Sequence, residues 1–281
     1  MAGIGGGCRV RAIAVLTCVL CVLSIAPCQI AAASTSSSGV DNPTLEFVTE
    51  ELPPFNFNNN GKADGFGSEV VREILRRSNL SAPLTVLPWP RAYKMAQTEA
   101  NVGLYCLVRS VDREKQFQWV GPIANTEARF YANRDSTLHI DSLDDARKAH
   151  GVIVLREGYN AQLLERLGFK NLWPVNNAIE GLRLLLISGD KTLFLVAANT
   201  VPGTMSKTGT PADAVKPLMT LTKTQMYIGF SLDTSSTLIG RLQHSLDNMK
   251  TDGSFAAIHQ KWFPGAKPPA IEREPDLPPP D

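Results

Sequence analysis

Outside its first 33 residues, this 281-residue chain holds a single cysteine. Cys8, Cys18, Cys21 and Cys28 all precede Ser34, and Cys106 stands alone after it. One thiol forms no internal disulfide, so the part beyond Ser34 must be held by a hydrophobic core and not by cross-links. Charge of one sign is also missing. There are 28 Lys and Arg against 27 Asp and Glu, and dropping Arg9 and Arg11 moves the formal charge only from +1 to −1. Nothing in that balance points to nucleic acid. No second long apolar run follows Ile25, so the sequence carries no sign of a membrane-embedded sensor. Histidine is scarce: His139, His150, His244 and His259 have no metal-ligand spacing, and neither metal nor cofactor is expected. Gly65-Phe66-Gly67 lacks the third glycine of a dinucleotide-binding turn. Ser188-Gly189-Asp190-Lys191 and Lys207-Thr208-Gly209 lie too close together for a penicillin-binding site, and Ser-Asp-Asn is absent. No catalytic constellation is left.

What the chain does have begins with a leader. Arg9 and Arg11 precede an apolar run from Ile13 to Ile25, and Ala31-Ala32-Ala33 follows. A charged start, a short apolar core and a small-residue exit describe a cleavable secretory signal peptide over residues 1–33, so the mature chain is expected in the periplasm. Cys28 follows Pro27, a poor setting for lipid attachment.

Beyond the leader, short apolar runs alternate with amphipathic stretches. Leu45 to Val48 and Leu84-Thr85-Val86-Leu87 have strand character, and Asn58-Asn59-Asn60-Gly61 is a turn signal. Ser68 is placed to cap a helix with Val70, Val71, Ile74 and Leu75 on its apolar side. Pro90 suits a helical first turn. Ser142 with Asp145, and Asn177 with Glu180, resemble capping boxes. Strands are expected at Val152 to Leu155, Leu193 to Ala197 and Met226 to Phe230, and a long helix carries Leu238, Leu242, Leu246 and Met249. This alternation predicts an α/β architecture. From Pro264 to Asp281 the chain is proline-rich and has few large apolar groups, the composition of a disordered tail.

Four patches resemble one family in order and spacing: Glu50-Glu51-Leu52-Pro53-Pro54-Phe55 with Gly65-Phe66-Gly67-Ser68-Glu69; Arg113 to Ile123; Tyr227-Ile228-Gly229-Phe230-Ser231; and Leu246 to Phe255 with Ile258 and Trp262. Together they resemble type II periplasmic solute-binding proteins of the polar amino-acid type, family 3. Pro88-Trp89-Pro90-Arg91-Ala92 is similar to the helix start of one subgroup. The resemblance implies a two-lobed periplasmic-binding-protein-like II fold, two α/β sandwiches joined by a two-strand hinge. Residues 45–126 with 226–263 would form the first lobe, 129–224 the second, and 264–281 the tail. It also implies a non-enzymatic monomer that captures a small carboxylate-bearing ligand between the lobes for an ABC permease complex.

The residues then take expected roles. Arg113 is the anchor, because a planar guanidinium grips a carboxylate through two parallel hydrogen bonds. Surface pairing with Asp112 or Glu114 is the alternative. Trp89, Phe55 and Tyr105 would wall the pocket or else pack in the core. Arg91 and Arg109 would add positive charge or lie solvated. Glu50 would take a ligand ammonium group or sit on the surface. Arg156 and Tyr159 lie before a helix whose free N–H groups suit an anion, or in an ordinary loop. Asn199 stands where the family often has an aspartate, Leu52 where it has an aromatic, and Cys106 and Val108 where it has serines. These departures point away from an ordinary α-amino acid. An envelope ligand-sensing module and a cyclohexadienyl-dehydratase-like enzyme, with Glu157 or Glu50 as acid, are the competing readings.

Overall fold

The computed structural model describes residues 44–270. The signal-peptide expectation for residues 1–33 falls outside them. Strand β1 (Glu46–Thr49) leads through the hairpin β2 (Phe57–Asn59) and β3 (Lys62–Asp64) into helix α1 (Phe66–Arg77). The hairpin turns on Asn60 and Gly61, both at positive φ (50° and 83°), which suits asparagine and glycine. The α1 helix begins two residues before the expected cap. Ser68 lies inside it, and its hydroxyl donates to the Asp64 carbonyl at 3.2 Å. Val70, Val71, Ile74 and Leu75 are all buried, as their 3.6-residue period demands.

β4 (Leu84–Val86), α2 (Trp89–Thr98), β5 (Val102–Val108) and the short α3 (Val111–Glu114) follow. The chain then enters β6 (Gln118–Asn133), a strand of 16 residues. Next come α4 (Leu143–Lys148), β7 (Gly151–Leu155), α5 (Tyr159–Arg166), β8 (Leu172–Val175), α6 (Ala178–Ile187), β9 (Thr192–Ala197) and α7 (Thr200–Thr208). The caps at Ser142 and Asn177 form as the sequence suggests, each accepting a backbone N–H three residues on, from Asp145 at 3.3 Å and Glu180 at 2.9 Å. Another 16-residue strand, β10 (Val215–Phe230), returns, and α8 (Ser236–Thr251) and α9 (Ser254–Trp262) close the described fold.

The strand order is β4-β1-β5-β10-β6-β9-β7-β8. β1 runs parallel to β4 and β5, and β7 runs parallel to β8 and β9. Between these two parallel groups, β6 and β10 pair antiparallel from Val215↔Asn133 to Phe230↔Gln118. Their two ends belong to different lobes. The C-terminal half of β10 pairs with β5, and the C-terminal half of β6 pairs with β9. The two lobes therefore share one hydrogen-bonded order, joined through β6 and β10 as the expected two-strand hinge requires. The α1, α2, α8 and α9 helices cover the first lobe, and α5, α6 and α7 pack on the second. A single apolar cluster runs from Phe47, Phe66 and Phe230 through Leu52, Met226 and Val201 to Leu182 and Phe194, so the lobes are packed onto each other. Residues 264–270 follow without helix or strand. Pro269 is buried and Lys250 donates to the Ala270 carbonyl at 3.0 Å, so the tail is held against the body at least that far. The rest of it lies outside the described residues.

Candidate functional site

Arg113 is placed by the local chain. The β5 strand ends at Val108, Ser110 starts the one-turn α3, and the Arg113 N–H donates to the Ser110 carbonyl at 3.0 Å. The residue is 1% exposed. Its guanidinium has only neutral partners. Nη1 donates to the Val108 carbonyl at 3.4 Å and Nη2 to Gln162 Oε1 at 3.1 Å, while the buried Nε has none. The rings of Tyr93 and Trp89, both on α2, lie 5.1 and 5.5 Å from it, a cation–π setting. Burial lowers the guanidinium from its ordinary pKa, with Tyr93, Glu50 and Tyr159 opposing that shift. Arginine remains charged all the same. The alternative, surface pairing, is not what forms: Glu114 binds Arg109, and Asp112 pairs with Arg166.

Glu50 reaches the same place from the end of β1. The Thr49 hydroxyl donates to the Tyr105 carbonyl, and Asn56 Nδ2 donates to the Glu50 carbonyl at 2.7 Å, which fixes the backbone. Glu50 is 8% exposed and its Oε2 lacks a partner. Burial pushes its pKa up to about 8, although the charge on Arg113 pulls the other way. At neutral pH Glu50 is therefore mostly a neutral acid, and the cavity keeps the positive charge of Arg113.

Cys106 also lines this cavity. It sits at φ 61° where β5 and β10 change register, the extra residue of a bulge. Gly67 makes room for it: a Cβ on Gly67 would lie 2.6 Å from the Cys106 sulfur. Burial raises the thiol well above its usual range, so it stays protonated.

Together, Arg113, Glu50, Trp89, Cys106, Thr126, Tyr159 and neighbouring residues enclose about 70 Å³. That is room for roughly five water-sized atoms at about 10–15 Å³ each. The Thr126 hydroxyl is buried and lacks a partner, so three unpartnered polar groups face one cavity. The walls come from both lobes, and several contacts clasp them together. Trp89 Nε1 donates to the Glu157 carbonyl at 3.0 Å, and Lys207 pairs with Glu51. Gly203 meets the Pro53-Pro54 turn so closely that a Cβ there would lie 2.8 Å from the Pro54 nitrogen.

The other expected residues are placed elsewhere. Phe55 packs in the core of the first lobe, 5.1 Å from Phe263 and 6.3 Å from Phe66. Tyr105 is buried with its hydroxyl 2.9 Å from that of Ser68. Tyr105 turns away from the cleft because it alternates with Cys106 along β5, and Phe55 sits in the turn between β1 and β2 with its ring packed inward. Arg91 lies exposed on α2. Arg156 is exposed and reaches toward Asn176 and the Pro174 carbonyl. Arg109 holds Glu114 through two hydrogen bonds of 2.7 and 2.5 Å and stacks on Trp119 and Tyr227. Arg109 and Asn199 both line a second and much larger cavity of about 930 Å³, with Asn125, Glu127, Lys223 and Gln225. On the hinge strands Ala128 and Met226 line the Arg113 cavity alone, while Thr126 and Thr224 border both. Size favours the second cavity and chemistry the first, because Arg109 and Lys223 already have carboxylate partners and Lys267 is exposed, whereas Arg113 is buried. Tyr93, Thr126 and Gln162 escape the sequence reading. Tyr93 follows Trp89 by one helical turn, a spacing that could have revealed it.

The chain belongs to the bacterial extracellular solute-binding proteins, family 3, whose family model matches residues 45–265. Among curated proteins, none matches the sequence. Solved structures share the fold at low identity. A histidine kinase sensor domain with similarity to periplasmic binding proteins is 21% identical with a TM-score of 0.74, over 81% of this chain and 98% of that one. The arginine-, lysine-, histidine-binding protein ArtJ from Geobacillus stearothermophilus is 16% identical with a TM-score of 0.70, over 82% and 98%. A structure concerned with glutathione import via GshT and the cystine ABC importer TcyBC of Streptococcus mutans is 16% identical with a TM-score of 0.71, over 81% and 97%. This two-lobed α/β protein is a solute-binding protein of that family. No helix among the described residues is long and apolar enough to cross a membrane.

Proposed function

We propose that the chain captures a small carboxylate-bearing molecule in the cleft between its lobes, with Arg113 as the anchor, and hands it to an ABC importer. One observation carries this reading: a buried cation at the cleft floor has only neutral hydrogen-bond partners and a free Nε. Burying such a charge is costly unless something pairs with it, and a ligand carboxylate would be that partner. The structural relatives support the class of ligand: ArtJ is an arginine-, lysine-, histidine-binding protein, and GshT is named with an ABC importer. The lobes are taken as 45–126 with 226–263 and 129–224, closing about β6 and β10. Delivery to the periplasm rests on the leader, and an intact mass starting near Ser34 checks it.

Glu50, Trp89, Thr126 and Tyr159 complete the site. With Glu50 mostly neutral, the cavity favours a monoanion, or a zwitterion whose ammonium lowers the Glu50 pKa so that Glu50 releases its proton to solvent and pairs with it. A thermal-shift screen of small carboxylic acids beside their neutral amides tests the reading, because a ligand at 100 times its Kd stabilises by about 2.7 kcal/mol. The acid is expected to raise the melting temperature, the amide not, and Arg113→Ala is expected to lose the response. Stabilisation of Arg113→Ala equal to that of the parent would refute the anchor. A second reading, a ligand-sensing module, is favoured by the sensor-domain relative. It shares the same cleft and differs in the partner that reads closure.

A further inference from the structure

Gln162 was invisible in the sequence, yet its side chain reaches across from the second lobe and holds an Arg113 nitrogen by a hydrogen bond. It stands in the first turn of α5, half-buried, with its N–H donating to the Gly158 carbonyl at 3.1 Å. Both ends of its amide are engaged. Oε1 accepts from Arg113 Nη2 at 3.1 Å, and Nε2 donates to the Glu157 carbonyl at 3.3 Å. That same carbonyl accepts from Trp89 Nε1, and Glu157 is held at φ 57°, a left-handed backbone that favours glycine. The second lobe thus offers the arginine an internal oxygen. A carboxylate gripping the Nε–Nη2 edge of the guanidinium meets a place already held by an acceptor on Nη2, while Nε is open. Nη2 carries two N–H donors, so both oxygens would crowd one nitrogen, where they repel each other and the ligand's grip is weakened for as long as Gln162 stays.

We propose that Gln162 is a built-in competitor for the ligand's carboxylate at Arg113 and sets how tightly this cleft binds. This rests on the carboxylate-anchor reading above. The strength of the competition follows from one neutral-to-charged hydrogen bond that must be given up, so removing it should tighten binding roughly 10- to 100-fold. The amide also bridges to Glu157. A ligand that brings a donor beside its carboxylate, to take over the Glu157 carbonyl, would therefore recover part of what Gln162 loses.

The probe is sodium acetate, which has four heavy atoms and fits the cavity. It is titrated into the full mature chain against sodium chloride at equal ionic strength, with melting temperature as the readout. Gln162→Ala and Gln162→Met, which keeps the bulk without the acceptor, are both expected to respond at roughly 10- to 100-fold lower acetate than the parent. Gln162→Glu places a carboxylate on Arg113 from within and is expected to lose the acetate response. A purely structural role for Gln162 would weaken binding in all three variants. If Arg113→Ala loses the response while Gln162→Ala is unchanged, weaker or silent, the competitor role is wrong and the anchor stands. If Arg113→Ala responds like the parent, the anchor fails and the competitor role fails with it.

Discussion

Replacing Glu50 by glutamine keeps the shape of the side chain and removes its titration. In the folded protein burial holds the Glu50 pKa near 8 against an ordinary 4.5. Between those values the unfolded chain gives up its proton and the folded one keeps it. Stability from this group is therefore complete below about pH 4.5, falls as pH rises, and is gone once pH passes about 8. The slope is about 1.4 kcal/mol per pH unit, so across the window the parent should lose a few kcal/mol that Glu50→Gln does not. Urea midpoints for both proteins at half-unit steps from about pH 5 to 9 measure it. The two curves should converge at the acid end, and Glu50→Gln should be the more stable above about pH 8. Parallel curves across the range would show that Glu50 is ionised or solvated in the folded state, and the electrostatic account of the cavity would fall.

Other outcomes follow from the same geometry. Trp89→Phe keeps the ring over Arg113 but removes the hydrogen bond to the Glu157 carbonyl, so affinity for a screened ligand should drop by about 0.5–1.5 kcal/mol; unchanged calorimetry would remove Trp89 from closure. Tyr105→Phe breaks the bond to Ser68 and should cost about 1 kcal/mol of stability in urea with no change in affinity, since the ring packs in the core. Lys207→Ala frees Glu51 across the cleft, and small-angle scattering should then show a larger radius of gyration than the parent.

The fold was largely readable because its elements follow local rules. Asn177 and Ser142 cap their helices through side-chain oxygens that propensity alone picks out, and Val70, Val71, Ile74 and Leu75 form one face by their spacing. The long hinge strands were readable only in part. The apolar segment after Arg113 and Met226 to Phe230 showed strand character, whereas Val215 to Gln225 owes its pairing to β6, a partner far away in the sequence. At the site, Arg113, Trp89, Glu50 and Tyr159 lie together as their flanking motifs suggested. Phe55, Tyr105, Arg91, Arg109, Arg156 and Asn199 do not: Tyr105 and Arg91 fall on the far side by strand and helical phase, and the other four lie in turns and loops, whose course no local period sets. Sequence distance hid Gln162 as well: its contact with Arg113 spans 49 residues and depends on how two lobes meet.

Calorimetry of Arg113→Lys with a ligand from the carboxylate screen tests the central claim most directly. Lysine keeps the charge and loses the planar fork, so binding should weaken by roughly 1–3 kcal/mol while the melting temperature of the free protein stays close to the parent's. Arg113→Ala should weaken it further. Parental affinity in both variants would contradict the carboxylate anchor.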